Sequence, residues 1–255
     1  MAEEPKLALF IDLENIALGV RDAKLKGKGF EISRVLERLV EKGKIIVKKA
    51  YADWGSYRDF KRPFHEAGIE LIDIPQRRYS GKNSADIKMV VDAIDLSYSK
   101  EHVNYFVIAS GDSDFVPLVS KLKENDKTVI GVGVKNSTSE LLASNCDEFI
   151  YYDDLVRQTP RTLPRMAKLP KKKQECFKLV LDAIEALERE NKEVIWGSMI
   201  KQTIKRKHPS FSESYYGFSR FNDLLEDAAR LDLIKISKDK RSGTYIVTAF
   251  GEAAT

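Results

Sequence analysis

Short apolar runs rich in valine and isoleucine alternate with helical patterns over the first 156 residues, and this alternation constrains the fold more than any other feature. Each run is continuous and bounded by breakers, as is typical of strands buried on both faces of a parallel sheet. Six runs fit this description: Leu7–Asp12, Ile45–Tyr51, Ile69–Ile74, Asn104–Ser110, Lys127–Val134 and Glu148–Tyr152. Because helical patterns fill the intervals, the sequence predicts an α/β domain with a doubly wound, mostly parallel sheet.

The helical patterns between these strands have recognisable ends. Apolar residues recur at helical spacing from Ile32 to Val40 and stop before Gly43, which is a typical helix end. Ser56 and Ser84 each precede a helical pattern, and we predict that both serve as N-caps.

The pattern changes after residue 173. An amphipathic helix is predicted over residues 174–190, followed by two further helices and a hairpin with a basic, glycine-containing turn. Three helices followed by a two-stranded wing are typical of a small winged-helix domain. The sequence therefore predicts a first domain over 1–156, a linker over 157–173 and a second domain over 174–255.

Positive charge is concentrated between the two domains. Residues 1–156 carry a net charge of −3 and residues 174–255 a net charge of 0, whereas residues 157–173 carry +7. This segment, RQTPRTLPRMAKLPKKK, contains three prolines that oppose helix and strand, so we predict an exposed, semi-stiff linker. Its charge fits either a solvated connector or a strap that holds a polyanion such as RNA.

Composition argues against membrane-spanning and disulfide-rich proteins. No apolar run reaches 18 residues, and the N-terminal MAEEPK does not resemble a secretory signal. Cys146 and Cys176 are far apart and fit a reducing compartment, so we expect a cytoplasmic protein. His65, His102 and His208 lack the spacing of zinc ligands.

Acidic side chains are predicted at the edge of the sheet where the parallel strands end. Asp12 ends the first strand, Asp112 and Asp114 follow the fourth, and Asp86 lies near the start of a helix. In open α/β sheets, ligands bind beyond the carboxyl ends of the strands. If the first and fourth strands are neighbours, these acids converge on one crevice.

Each of these aspartates also has a structural interpretation, because aspartate commonly caps a helix. Asp112 or Asp114 would cap the helix that follows, and Asp86 would serve the first turn of its own helix. Three such sites on one rim favour metal binding over capping. Asp92 and Asp95, further along the same helix as Asp86, are predicted to lie on a solvated face.

Converging carboxylates raise one another's pKa unless a cation relieves their repulsion. Mg²⁺ and Mn²⁺ prefer oxygen ligands, and the sequence shows no competing cluster of histidine or cysteine. Such an ion polarises a phosphoryl oxygen and lowers the pKa of bound water. Because no nucleophilic serine or cysteine arrangement is visible, the acids favour metal-dependent phosphodiester hydrolysis.

Three motifs, in this order, resemble the NYN domain, a branch of the PIN-like nucleases: LFIDLENI, KNSADIKMVVDAI and IASGDSDFVPLV. The later stretch VGVKNSTSELLASNCDEFIYYDDL is similar to the closing segment of that family. The resemblance covers roughly residues 5–156. It implies a PIN-like α/β fold and metal-dependent ribonuclease activity.

The resemblance also implies roles for the residues at the matching positions. The acids that would bind Mg²⁺ or Mn²⁺ are Asp12, Asp86, Asp112 and Asp114. Asn15 would be the polar partner that follows the first acid. Ser110 or Ser113 would contact the phosphate, as would Lys82, for which a solvated side chain is the simpler interpretation. Glu14 is predicted to point away from the site, because it alternates with Asp12 if the strand continues.

The second region resembles the OST-HTH/LOTUS winged-helix module over about residues 174–250. The stretch IWGSMIKQTIKRKHPSFSESYYGFSRFNDLLEDAARLDLIKI matches that family in order, and it implies RNA binding and, in some cases, a helicase partner. Phe218 and Phe221 are predicted to fill the small core, whereas base stacking and core packing both stay open for the tyrosine pair. The residues that would contact RNA are Lys171, Lys172, Lys173, Lys201, Lys205, Arg206, Lys207, Tyr215, Tyr216, Lys238, Lys240 and Arg241.

We therefore predict an endoribonuclease that hydrolyses RNA at a carboxylate-bound Mg²⁺ or Mn²⁺ site, while the linker and second domain hold the substrate. The alternative is an RNA-binding adaptor whose acid site is weak or inactive. A phosphatase or receiver domain, with Asp12 as the phosphorylated residue, is a third interpretation that the basic second domain does not support. A homodimer is expected by analogy with PIN-like domains.

Overall fold

The computed structural model describes residues 4–25, 29–74, 84–157, 169–239 and 243–251. The chain forms two compact units, Met1–Gln158 and Thr159–Thr255. Residues 158–168, which make up most of the predicted linker, lie outside the described residues.

The first unit is built on a six-stranded sheet with the strand order β3-β2-β1-β4-β5-β6. Every neighbouring pair of strands in this sheet runs parallel. The strands are β1 (Lys6–Asp12), β2 (Lys44–Ala52), β3 (Glu70–Asp73), β4 (Tyr105–Ala109), β5 (Thr128–Gly133) and β6 (Glu148–Tyr151). The predicted α/β fold is confirmed, and all six predicted strands are present.

Helices cover both faces of this sheet. They are α1 (Leu13–Asp22), α2 (Ile32–Lys42), α3 (Arg58–Glu66), α4 (Ser84–Ser99), α5 (Val116–Glu124), α6 (Glu140–Asn145) and α7 (Tyr152–Arg157). Ser84, the predicted N-cap, is the first residue of α4. Leu9 and Ile11 pack in the core shared with α1, α2, α3 and α7, whereas Phe10 packs in the core shared with α4, α5 and α6. β1 is therefore buried on both faces, as its continuous apolar sequence predicts.

The order of the strands reverses between β1 and β4. From β1 the chain adds β2 and β3 on one side, and then it crosses back to add β4, β5 and β6 on the other. β1 and β4 pair directly, with Ile11 opposite Ala109, so the predicted neighbourhood of the first and fourth strands is confirmed. A reversal of this kind leaves a crevice at the carboxyl ends of the two strands. Asp12 and Ser110 directly follow the last pair.

The predicted N-cap at Ser56 is wrong. Helix α3 begins at Arg58, and its N-cap is Tyr57, which makes no side-chain capping hydrogen bond. Ser56 instead donates its hydroxyl to Oδ2 of Asp53 at 2.9 Å, while Oδ1 of Asp53 accepts from the Gly55 N–H at 3.0 Å. The Asp53 carboxylate therefore accepts from both Gly55 and Ser56 and stabilises the turn that leaves β2. The Ser56 side chain contributes to this turn and does not cap α3.

The second unit consists of three helices and a small antiparallel sheet. The helices are α8 (Lys171–Arg189), α9 (Gly197–Lys207) and α10 (Phe221–Arg230). The strands are β7 (Ile195–Trp196), β8 (Ile234–Lys238) and β9 (Tyr245–Phe250), in the sheet order β7-β9-β8. This is the predicted succession of helices followed by a wing. Because α8 begins at Lys171, the last three residues of the predicted linker are helical.

The core of the second unit lies between its helices and the small sheet. Phe177 and Ile184 of α8 and Leu224 of α10 are fully buried in it. Phe218 and Phe221 are buried in the same core, which confirms their predicted role.

Both cysteines of the chain are free thiols, as predicted, with Cys176 buried and Cys146 half-buried. Among the described residues, no helix is long and apolar enough to cross a membrane.

Candidate functional site

Asp12 is both the last residue of β1 and the N-cap of α1. Its side chain is buried, with 8% exposed. Its Oδ1 accepts a hydrogen bond from the Asn15 N–H at 3.2 Å, and its Oδ2 accepts one from the Ser110 hydroxyl at 3.0 Å. The capping interpretation and the position at the crevice therefore apply to the same carboxylate, and neither excludes the other.

The loop after β4 is organised by hydrogen bonds that begin at Ser110. This serine is fully buried, and its Oγ accepts from the Asp112 N–H at 3.2 Å while it donates to Asp12. Oδ1 of Asp112 accepts from the Asp114 N–H at 3.0 Å and so caps the 3₁₀ helix Ser113–Phe115. Asp114 is exposed. The Ser110 hydroxyl is thus engaged by the Asp12 carboxylate and by the backbone of Asp112, and its predicted contact with the phosphate stays a prediction.

Asn15 connects the first turn of α1 to the same loop. Its Oδ1 accepts from the Gly111 N–H at 2.8 Å. Gly111 does not adopt a positive φ, so a left-handed backbone conformation is not the reason for glycine at this position. A methyl group at this position would overlap the carbonyl oxygen of Ser137, and the Ser139 N–H donates to the Gly111 carbonyl at 2.9 Å. Glycine is required because the loop after β5 lies against it.

Two further carboxylates act electrostatically on this region. Burial raises the pKa of Asp86, in the first turn of α4, and the charges of the two acids after β4 and of Glu14 add to the rise. Glu14 was predicted to alternate away from Asp12, but the strand has already ended, because α1 begins at Leu13. The signal that could have located Glu14 is the aspartate cap itself, since an acid in the first turn after a cap is common.

Burial raises the pKa of the Asp12 carboxyl from 3.8 to about 7. The hydrogen bonds from Asn15 and Ser110 oppose the rise, and the charges of Asp86 and Glu14 add to it. Among the residues that the structure describes, no lysine or arginine forms an ion pair with any of the four predicted ligand acids. The described part of the site therefore concentrates negative charge that a cation would relieve.

The donors at this crevice fit a hard divalent cation in kind. They are carboxylate and amide oxygens, which Mg²⁺ and Mn²⁺ prefer. Over the described ranges, no three His, Cys, Asp or Glu side chains lie close enough together to hold a metal ion. Holding one would therefore require the acids of β1, α4 and the loop after β4 to draw closer than they are.

The prediction of a solvated face is wrong for Asp92, whose side chain is largely buried, and it is confirmed for Asp95, which is exposed. The Tyr51 hydroxyl donates to Oδ2 of Asp92 at 2.8 Å, and the ammonium groups of Lys88 and Lys49 lie 2.7 Å and 3.4 Å from its carboxylate oxygens. Burial alone would raise the pKa of Asp92, but these hydrogen bonds and positive charges outweigh it and lower the pKa.

The contact between Asp92 and Tyr51 connects the crevice to α4. Tyr51 is fully buried near the end of β2 and stands opposite Asp12 in the parallel register. Its bond to Asp92 joins β2 to α4, the helix whose first turn carries Asp86. The sequence pattern did not reveal this support, because its two ends are far apart along the chain.

The residues predicted to contact phosphate or RNA differ in their exposure and in the ion pairs or hydrogen bonds that they already make. The exposed ones are Lys171, Lys172, Lys205 and Lys238. Lys173 forms an ion pair with Asp227 at 2.9 Å, and Lys201 forms one with Glu213 at 2.6 Å. Arg206, which donates to the Thr203 hydroxyl at 3.2 Å, is half-buried, as are Lys207 and Ser113. The predicted contacts outside the described residues are Lys82, Lys240 and Arg241.

The structure separates the roles of the two adjacent tyrosines. Tyr216 is half-buried and stacks on the buried Phe211 with 5.7 Å between ring centroids. Tyr215 is 62% exposed. The first tyrosine of the pair is therefore displayed on the surface, while the second belongs to the edge of the core.

Comparisons with known proteins match this organisation. The NYN domain matches residues 6–153, and the OST-HTH/LOTUS domain matches residues 177–242. An uncharacterized protein of Methanocaldococcus jannaschii is 25% identical over 194 residues, which span 74% of this chain and 71% of that protein. A crystal structure of a protein of unknown function from Vibrio parahaemolyticus is similar with a TM-score of 0.53 and 25% identity. That likeness covers 61% of this chain and 97% of the other, and it supports the fold alone.

NYN domains are a nuclease family of the PIN-like group that generally uses divalent metal ions, and the OST-HTH/LOTUS domain suggests RNA binding. The first match covers more than half of the chain and contains Glu14 and all four predicted ligand acids. The chain therefore belongs to the NYN domain family, with an OST-HTH/LOTUS domain following the NYN domain.

Proposed function

We propose that the first unit is a metal-dependent endoribonuclease and that the second unit binds the RNA substrate. The observation that carries this proposal is the buried Asp12 carboxylate at the end of β1, which is bonded to Ser110 at the end of β4 and whose pKa is raised by burial and by the charge of Asp86 in the first turn of α4. A buried carboxylate with a raised pKa, close enough to other acids to feel their charge and without a cationic partner in the described chain, is typical of a functional site. The membership in a nuclease family supports the same assignment.

The proposed roles follow from the position of each side chain. Asp12, Asp86 and Asp112 would hold Mg²⁺ or Mn²⁺, with Asp114 as a fourth acid at the exposed rim. When bound, such an ion would polarise a phosphoryl oxygen and lower the pKa of a water molecule. Asn15 has its Oδ1 engaged by the Gly111 N–H, so its Nδ2 is the group that would donate to a phosphate oxygen.

Ser110 would act as a positioning residue. Its hydroxyl donates to Oδ2 of Asp12 and accepts from the backbone N–H of Asp112, so one buried group fixes the Asp12 carboxylate relative to the loop that carries Asp112. Because this contact already fixes Asp12 relative to the loop after β4, less of the rearrangement that would bring the acids together around a metal ion falls on these two segments.

The test is cleavage of single-stranded and structured RNA by the purified chain with Mg²⁺ or Mn²⁺, followed by chelation with EDTA. We expect cleavage with either ion, its loss on chelation, and at least a roughly 100-fold lower rate in Asp112→Asn and Asp86→Asn. Asp95→Asn is the matched control, because Asp95 is an exposed aspartate on the same helix as Asp86. Cleavage that survives both chelation and Asp112→Asn would overturn the metal mechanism.

A circular RNA distinguishes internal cleavage from trimming of ends. An endonuclease linearises the circle, whereas an exonuclease leaves it intact because the circle has no end to start from. Cutting of the linear RNA alone would replace the proposed endonuclease with an exonuclease at the same acid site.

An RNA-binding adaptor without cleavage activity is the second candidate. The observation that favours it is the spacing of the acids, since over the described residues no three of them are close enough to hold a metal ion. An adaptor would cleave no RNA or DNA with any divalent ion, would still bind RNA, and would lose that binding when residues 157–255 are deleted.

A further inference from the structure

Four aromatic side chains lead from the core of the second unit to its surface. Phe221 and Phe211 are buried and meet edge to face, with 6.3 Å between ring centroids. Tyr216 stacks on Phe211 at 5.7 Å, and Tyr215 meets Tyr216 edge-on at 5.0 Å. Tyr215 ends this series and is the exposed ring. Its contact with the half-buried Tyr216 restricts the positions that the Tyr215 ring can adopt.

The backbone under Tyr215 is also fixed. Tyr215 lies in a 3₁₀ helix, Glu213–Tyr216, which ends at Gly217 in the left-handed conformation with φ +90. Lys201 of α9 forms an ion pair with Glu213 at 2.6 Å, which ties the start of the 3₁₀ helix to the unit. A large ring held in this way loses little conformational freedom when a ligand covers it.

A lysine side chain lies over the exposed ring, and further lysines lie on the elements beside it. The Lys172 ammonium lies 4.2 Å from the centroid of Tyr215, a cation–π contact, and Lys171 beside it is exposed. The charge of Lys205 reaches Glu213 at the base of the 3₁₀ helix. Glu175 is the acidic neighbour, and its charge reaches Tyr216. The lysines outnumber the acids here, and this favours a polyanion over a neutral or acidic partner.

We propose that Tyr215 is a stacking platform for one unpaired nucleobase of an RNA strand, with Lys172 contacting an adjoining phosphate. This inference rests on the proposed RNA binding of the second unit, and it adds the class of RNA that the unit selects. Unpaired bases stack on exposed aromatic rings, whereas the bases of a duplex are already stacked on one another. The unit therefore prefers single strands and loops, with little preference for sequence.

The experiment measures the affinity of the full chain for short labelled RNAs by fluorescence anisotropy, in EDTA so that no RNA is cut. A single strand is compared with a duplex of the same length. We expect Tyr215→Ala to weaken binding of the single strand by about tenfold and Tyr215→Phe by less than about twofold, since the ring is what stacks. Tyr98→Ala is the matched control, because Tyr98 is 57% exposed but lies on α4 of the first unit.

Two further measurements separate stacking from charge. Tyr215→Ala should leave duplex binding unchanged. Lys172→Gln should weaken binding in a salt-dependent way, with the slope of log affinity against log salt falling by about 0.7, the value for one phosphate contact on a single strand.

The outcomes distinguish this inference from the function on which it rests. If the wild-type chain binds no RNA, both are wrong. If the wild-type chain binds and Tyr215→Ala binds the single strand equally well, the platform is wrong and RNA binding stands; Tyr215 is then free for a protein partner. If Tyr215→Ala weakens single strand and duplex alike, the ring is a general contact and the stacking proposal is wrong. Unfolding curves for each variant show whether its fold is retained.

Discussion

Oδ1 of Asn15 accepts a hydrogen bond from the backbone N–H of Gly111 at 2.8 Å, and the backbone N–H of the same asparagine donates to Asp12. One residue therefore joins the N-cap of α1 to the loop that carries Asp112. Gly111 is buried, so water cannot readily replace the lost acceptor if the amide is removed.

Asn15→Ala is expected to lower the free energy of unfolding by about 1–3 kcal/mol, the usual cost of leaving a buried donor without a partner. RNA cleavage should fall as well, because the loop that carries Asp112 loses its tie to α1. Urea unfolding and cleavage rates measure the two effects. Asn136→Ala, at an exposed asparagine, should change neither. Equal stability of Asn15→Ala and the wild type would show that the hydrogen bond is dispensable.

Asp12→Asn is expected to stabilise the metal-free chain above neutral pH. The folded-state pKa of Asp12, about 7, lies above its ordinary value of 3.8, so this carboxyl favours the folded state when protonated. That contribution is complete below about pH 4 and is lost as the pH rises through about 7. In EDTA the wild type should therefore lose stability between these values, and Asp12→Asn should gain on the order of 2 kcal/mol over it at alkaline pH.

Urea unfolding at a series of pH values in EDTA checks this prediction. The same substitution should abolish cleavage, so stability and activity move in opposite directions. A variant that is less stable than the wild type at every pH would contradict the raised pKa, and would indicate that the charged form of Asp12 stabilises the fold.

Binding of Mg²⁺ or Mn²⁺ is expected to release protons. The pKa of Asp12, raised to about 7, means that this carboxyl is partly protonated near neutral pH, whereas a cation binds the deprotonated form. The pKa of Asp86 is raised as well, by burial and by neighbouring acids. The affinity for Mn²⁺ should therefore rise with pH up to and past about 7. Calorimetry in buffers of different ionisation enthalpy measures the released protons directly. Asp112→Asn should weaken binding, whereas Asp95→Asn should not.

Gly111→Ala is expected to destabilise the first unit by about 1–3 kcal/mol, the usual cost of forcing extra volume into a packed site. The added methyl group would overlap the carbonyl oxygen of Ser137, which is backbone and cannot move as a side chain does. Gly55→Ala is the control, because its new methyl group would meet only the carboxylate of Asp53. Thermal unfolding compares the two, and a Gly111→Ala chain as stable as the control would show that the loop after β5 yields easily.

Asp92→Asn is expected to show the opposite pH dependence from Asp12→Asn. The pKa of Asp92 is lowered, so its charged form stabilises the fold above the ordinary value of 3.8, and that contribution is lost as the pH falls below it. At neutral pH the substitution should cost about 1–2 kcal/mol, because it weakens charge-assisted bonds to Lys88 and Tyr51. Asp95→Asn is again the control on the same helix, and a stability loss of equal size there would contradict the prediction.

Several parts of this structure can be derived from the sequence because their causes are local. A short apolar run between breakers predicts a strand, and all six strands of the first unit occur where such runs lie. The predicted burial holds for β1 and β4 but not for the edge strand β3, which has no buried residue. The placement of Asp12 and Asp112 at one edge then follows from the pairing of β1 with β4, since parallel strands end at a common edge.

Other features depend on residues that are distant along the chain. Asp92 is held by Tyr51, 41 residues earlier, and no spacing rule connects a helical aspartate to a tyrosine in another strand. The requirement for glycine at position 111 comes from the carbonyl oxygen of Ser137, in the loop after β5, which leaves no room for a methyl group. The direction of the Glu14 side chain depends on whether the backbone stays extended after Asp12. The hydrogen bond from the Asn15 N–H to Asp12 caps a helix there, so the backbone is helical at Glu14.

The pairing of β1 with β4 also determines the point during synthesis at which the acid site can form. Asp12 leaves the ribosome early, and Ser110, the buried hydroxyl that fixes its orientation, follows 98 residues later. The strands made in between lie on the other side of β1, so they cannot form the second wall of the crevice. A nascent or truncated chain that stops before β4 therefore carries only half of the acid site, and the cleavage activity that we propose would appear only once β4 has been added to the sheet.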